Sequence, residues 1–217
     1  MAGEPRGEAV DAAEEASGDG RRQRAERSRT AVVDAMLSLY EDGIVQPSAA
    51  DIAARAGVSE RSVFRHFADL ESVAAEAVNR QYARVAPFFA PPAADGDLPD
   101  RLAALVDQRC RLYERMHDFV VVTATVATRS PTVASFLAKR QAMLRAQVAA
   151  QFAPELDGLE SRDRRLLLAS LEQAASLEAL AYLRTAAGVG PRDLKVVLTT
   201  NLDALLTAAV PTPRSPS

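Results

Sequence analysis

The chain has 217 residues, 48% of them apolar and 25% charged, with a formal net charge of −3. That is the balance of an ordinary globular protein of one or two domains, long enough to bury a real core. It excludes a wholly disordered or fibrous chain. It also argues against an integral membrane protein, because apolar stretches such as residues 119–128 fall far short of the roughly 20 residues that a span requires.

The charge is unevenly placed. Residues 1–20 hold one Arg and six acids, a net −5; residues 21–29 (RRQRAERSR) hold five Arg and one Glu, a net +4; the rest of the chain is left with −2. An acidic, Ala/Glu/Gly-rich tail with no apolar segment is expected to be unstructured and is not a secretory leader. The basic arm that follows, Arg21, Arg22, Arg24, Arg27 and Arg29, is either a solvated linker or a phosphate-binding segment. The single Cys110 cannot form an internal disulfide, which fits a cytoplasmic protein. With only His66 and His117 beside it, no closed metal site is expected, and no cofactor.

From Thr30 the pattern turns helical, with Val32, Met36, Leu39 and Tyr40 at i, i+4, i+7 and i+8, until Asp42-Gly43 ends it. Ser48 is placed as the N-cap of a second, short helix, with Asp51 at the third position to reciprocate the cap. Ile52, Ala53 and Ala56 form its apolar face and Gly57 stops it; Val58 reads as the buried plug of the turn. Ser59 caps a third helix ending near Phe67, with Val63 and Phe67 inward. A fourth helix is expected over about 70–85. Residues 30–67 therefore read as a three-helix module closed by a helix-turn-helix. Two such short helices build a bundle poorly but present one helix end well, and the outward residues Arg61, Ser62, Arg65 and His66 all make hydrogen bonds.

Residues 30–78, with the central run PSAADIAARAGVSERSVFRHFADLESV, resemble the N-terminal DNA-binding domain of the TetR family of transcriptional regulators. The resemblance implies an all-α fold: an N-terminal helix-turn-helix domain over 21–84, with its motif at 47–66, and a C-terminal ligand-binding and dimerisation domain over 85–217. It implies that the third helix enters the major groove of double-stranded DNA. Ser48 and the second helix's N-terminus would then meet the backbone. Arg61 and Ser62 would reach base edges, Arg65 and His66 would hold phosphate, and Phe64 would pack or touch a thymine methyl. Arg27 of the arm and the Ser59 cap complete the expected interface. The chain departs from the family where Phe64 replaces a usual Tyr and Leu70 replaces a common Lys.

Beyond the fourth helix, Pro87, Pro91, Pro92, Gly96 and Pro99 mark a linker. Residues 98–117 are amphipathic. Residues 119–128 are rich in β-branched side chains that favour a strand, yet a lone strand would have no ladder partner, so helix is expected there too. A helix over 133–152 should turn Phe136, Leu137, Met143 and Val148 inward. Two last helices, 161–187 and 191–210, are split by Gly188-Val189-Gly190. The resemblance implies a homodimer through these two helices and an unidentified small-molecule effector. Residues expected at the effector site are Arg109, Tyr113, His117, Thr123, Arg129, Phe136, Met143, Gln173, Glu178 and Tyr182, with a Glu178 salt bridge to Arg109 or Arg129 as the plainer reading. No catalytic constellation, phosphate loop or paired metal ligands can be read, so an enzyme is not expected. The expected function is a ligand-responsive repressor on a palindromic operator; the alternative is a regulator of the same fold that activates or works through protein contacts.

Overall fold

The computed structural model describes residues 7–209, and every regular element among them is a helix. The elements are α1 (Gly7–Glu41), α2 (Ala49–Ala56), α3 (Glu60–His66), α4 (Leu70–Val85), a 3-10 turn at Ala86–Phe89, α5 (Leu98–Ala127), α6 (Pro131–Gln151), α7 (Ala153–Asp157), α8 (Ser161–Ala174), α9 (Leu177–Thr185) and α10 (Pro191–Ala209). They divide into two compact units, residues 1–79 and 80–217. No single helix among the described residues is long and apolar enough to cross a membrane.

In the first unit α1 packs on α2 and α3, and α2 on α3. Val32, Met36, Leu39 and Tyr40 are buried, as their spacing predicts, and so are Ile52, Val63 and Phe67. The start of α1 differs from expectation. The helix begins at Gly7, not Thr30, so most of the segment expected to lack structure is helical; residues 1–6 lie outside the described residues. An Ala- and Glu-rich segment that cannot form a core still has high intrinsic helix propensity. The arginines of 21–29 are therefore set out along a helix. Gly43, at φ 78°, takes the left-handed conformation that ends α1.

In the second unit α5 packs against α6, α9 and α10, and α10 also lies on α8. The core includes Leu105, Leu112, Met116, Phe152, Leu171, Leu180, Leu198 and Leu202, all nearly inaccessible. The β-branched run at 119–128 is helical as far as Ala127, continuous with the segment before it, and Thr128 is the C-cap. Its threonines turn back onto the helix: the Thr123 hydroxyl donates to the Phe119 carbonyl and that of Thr125 to the Val121 carbonyl at 3.1 Å.

Three features of this unit depart from the sequence reading. The α6 face that is buried carries Val133, Arg140, Leu144, Gln147, Val148 and Gln151, whereas Phe136 and Leu137 are half-buried and Met143 is exposed. Residues 161–187 form two helices, bent by 45°, because Ser176 caps a new start by accepting from the Ala179 amide at 3.1 Å. The short α7 has no counterpart in the periodicity. The last expected helix residue, Val210, lies outside the described residues.

Glutamine side chains fasten the proline-rich linker. Gln108 donates to the Phe88 carbonyl at 3.1 Å, Gln147 to the Phe89 carbonyl at 2.7 Å and Gln151 to the Ala93 carbonyl at 2.6 Å. Backbone acceptors outside the α-helical ladders need such partners when they are buried.

Candidate nucleic-acid interface and C-terminal cavity

The turn between α2 and α3 is built by local bonds. Asp51 accepts from the Ser48 amide at 2.8 Å while its own amide donates to the Ser48 hydroxyl at 3.1 Å, closing a capping box. The Ser48 hydrogen bonds hold the Asp51 carboxyl below the usual carboxylate range. Gly57 sits at φ 66°, φ being a left-handed value that disfavours any side chain. Ser59 then caps α3, accepting from the Ser62 amide at 3.2 Å. Val58 is half-buried, not the fully buried plug expected. Val63 at 0% and Phe67 at 4% exposure anchor α3 from within.

With that face anchored, α3 turns Arg61, Phe64 and Arg65 to solvent, Phe64 with half its surface exposed. Ser62 and His66 are half-buried. The hydroxyls of Ser48, Ser59 and Ser62 are engaged in the caps. Burial, then Arg65 and Arg29, push the His66 imidazole below its ordinary value. Leu70 opens α4 half-buried, preceded by Asp69, which accepts from the Ser72 amide at 2.8 Å.

The basic segment of α1 separates into two roles. Arg22, Arg24 and Arg27 are exposed, and the last two bond carbonyls of their own helix, at 3.3 Å. Arg29 turns inward. It donates to the His66 carbonyl at 3.0 Å, pairs with Glu76 and lies over the Phe67 ring at 4.4 Å. It thereby clamps the C-terminal end of α3 between α1 and α4. Arg29→Ala should lower unfolding stability by about 1–2 kcal/mol, after discounting a partly exposed pair, through the lost charge-assisted bond and cation–π contact. Arg27→Ala should leave stability unchanged; equal denaturation midpoints for the two variants would remove the clamp from the account.

The residues expected around an effector are only partly brought together. Arg109, Gln173 and Glu178 line one cavity of about 270 Å³, with Gln141, Leu144, Val148, Ala169, Glu172, Ala175 and Ser176. Gln173, Glu178 and Tyr182 line an open groove of about 740 Å³ beside it, with Ala204 and Leu205 of α10. The other six line neither. Tyr113 is buried and tilted against His117, which is exposed and paired with Asp118 at 2.6 Å. Thr123 is committed to its own helix, and Arg129 and Met143 face solvent. Phe136 stacks on Tyr82 at 6.0 Å. The partner of Glu178 is Arg140 of α6, not Arg109 or Arg129. Cys110 is buried in α5, its thiol pushed up to about 11 chiefly by burial, while His117 is exposed, so the two do not form a pair.

A capped short helix with an arginine-bearing outer edge, closing a three-helix module, has the layout of a helix-turn-helix DNA-binding domain. Residues 34–77 match the family model of bacterial regulatory proteins of the tetR family. The fold extends over most of the chain. It is shared with a transcriptional regulator from Rhodococcus sp. Rha1 (TM-score 0.64, 22% identity, 87% of this chain and 99% of that one). It is also shared with a tetR-family transcriptional regulator from Streptomyces coelicolor (TM-score 0.66, 19% identity, 85% of this chain and 82% of that one). No curated protein matches the chain significantly by sequence. Regulators of this family are not enzymes.

Proposed function

We propose that the protein is a ligand-responsive repressor that binds a palindromic operator as a homodimer. The observation that carries this reading is the α3 edge of Arg61, Phe64 and Arg65, presented by a helix whose opposite face is fully anchored. Arg61, in the first turn, is suited to guanine N7 and O6, and Arg65 one turn later to phosphate. Arg22, Arg24 and Arg27 of α1 add backbone charge, so replacing all three by Ala should flatten the salt dependence of binding by up to about three units of slope. An unchanged slope would take α1 out of the interface.

The dimer reading is supported by exposed apolar residues on the last helices, Leu166 of α8, Tyr182 of α9 and Val196 of α10, each more than half exposed. A two-fold dimer places half-sites roughly 34–36 Å apart or at a multiple of that distance. The effector reading is supported by the cavity beside α8, and a ligand shifts the protein off DNA only by binding the DNA-free state more tightly.

The test is selection of genomic fragments by the purified protein at about 150 mM salt, with sedimentation at micromolar concentration. Enrichment of an inverted repeat by a dimeric protein is expected. A folded monomer, or a folded dimer that enriches nothing, would overturn this reading and leave a regulator working through protein contacts. Higher transcription from an enriched promoter when the protein is present would make it an activator.

A further inference from the structure

We propose that the effector is a small organic acid with an apolar body, its carboxylate meeting Arg109 in the cavity beside α8; this rests on the effector-controlled reading above. Arg109 is wholly inaccessible to solvent and lines the cavity. Its partners are all neutral: Nη1 donates to Gln147 Oε1 at 2.9 Å and to Gln108 Oε1, and Nη2 to the Leu144 carbonyl at 2.9 Å. Its Nε has no hydrogen-bond partner among the described residues. No carboxylate among them pairs with it.

A buried guanidinium ordinarily has a carboxylate beside it, because desolvation of an isolated charge is far costlier than that of a pair. Burial lowers the ionisation of Arg109 to about 10, which still leaves it a cation at neutral pH. The two carboxylates on the cavity wall are already committed, Glu178 to Arg140 and Glu172 to Arg145. Arg140 and Arg145, outside the lining, take the two carboxylates, so among the charged residues of the wall Arg109 is the one left without a charged partner. Leu144, Val148, Ala169 and Ala175 supply apolar wall around it. At about 270 Å³ the space lies just under the range of roughly 300–1,000 Å³ common for ligand sites, so the occupant is small. A monoanion with a short hydrocarbon or aromatic body matches the wall and neutralises the charge. A cationic ligand would leave the Arg109 charge without a counter-ion.

The experiment uses the full chain and matched probes: straight-chain monocarboxylates of four to ten carbons, benzoate and phenylacetate, each beside its primary amide and amine, with inorganic phosphate at equal ionic strength. Binding is read by calorimetry and by thermal shift. At least one acid should bind tenfold or more tightly than its amide, and Arg109→Gln should abolish that preference while Arg109→Lys keeps part of it. Where Arg109→Gln does not fold, as judged by circular dichroism, the acid-to-amide ratio in the unmodified protein and in Arg109→Lys decides alone. Equal affinity for acid and amide, binding by none of the acids, an acid preference that survives in folded Arg109→Gln, or phosphate binding as well as the acids would each overturn the inference. The same probes, and neutral and acidic fractions of a cell extract, are applied to the protein on its selected DNA. Release by neutral compounds alone would sink the acid while leaving effector control standing, and release by no fraction would remove effector control itself.

Discussion

Arg61→Ala should cost specific DNA affinity about 5- to 150-fold, the equivalent of about 1–3 kcal/mol for one bidentate base contact, and should relax sequence preference at a single position in each half-site. The expectation follows from placement. Arg61 is exposed one residue into α3, beyond the Ser59 cap. Its neighbours on the inner face, Val63 and Phe67, hold the helix in place without it, so folding should be untouched. Non-specific affinity should fall only by the loss of one positive charge, with a change of about one unit or less in salt slope. Arg65→Ala should show the converse, a weakening spread evenly over sequences. If Arg61→Ala weakened all sequences alike, Arg61 would be a phosphate contact and base reading would fall to another residue. Phe64→Tyr is a companion measurement. Half the ring is exposed, so a phenolic hydroxyl can be added without repacking, and tighter binding is expected from one more backbone contact.

How far such a site is legible in a sequence depends on the reach of the interactions that build it. The capping box of Ser48 and Asp51, the Gly57 stop and the Ser59 cap are contacts between residues three or four apart, and sequence spacing places each of them. Arg29 is different. It lies in a run of like residues and reads as one more arm cation, yet its partners are 37 and 47 positions away. Nothing in RRQRAERSR marks one arginine as structural.

The same limit explains α6. Hydrophobic periodicity assumes that what is buried is apolar, and it turned Phe136 and Met143 inward. The buried face instead carries Arg140, Gln147 and Gln151, each made tolerable by partners on other elements: Glu178, the Phe89 carbonyl, and the carbonyls of Ala93 and Arg101. A polar core of this kind is specified by pairs distant in sequence, so its residues look like surface in any local window. Six of the expected effector residues lie outside the two spaces described, for a related reason. Tyr113, Thr123 and Phe136 are polar-tipped or bulky, but their own helix or a neighbouring ring already satisfies them. Arg109 was legible as a candidate only because it is an arginine within an amphipathic helix; its lack of a carboxylate partner was not.

The largest expected loss of stability comes from the corner where α5, α6 and α7 meet. The Arg101 and Glu155 side chains are 7% and 17% exposed, and the guanidinium donates to both carboxylate oxygens and to the Gln151 carbonyl at 2.6 Å. Glu155→Gln keeps the shape and removes the charge, leaving Arg101 buried against neutral acceptors. A loss of about 2–3 kcal/mol is expected, somewhat below the 3–5 kcal/mol typical of breaking a fully buried pair, because water reaches the rim. In thermal unfolding that is a fall of about 4–12 °C for a chain of this size. The double variant Arg101→Met/Glu155→Leu should recover much of it, since no charge is then left unpaired. The pH dependence has a definite sign. Arg101 hydrogen bonds hold the Glu155 carboxyl below its ordinary value of 4.5. Its contribution is therefore complete above that value and is lost as pH falls through the lower folded value. The gap in melting temperature between the natural chain and Glu155→Gln should be wide at pH 7 and close progressively below pH 4.5. A gap that stayed constant down to the most acidic measurable pH would mean that the carboxylate's charge contributes nothing, and that Glu155 acts through shape and the first turn of α7 alone.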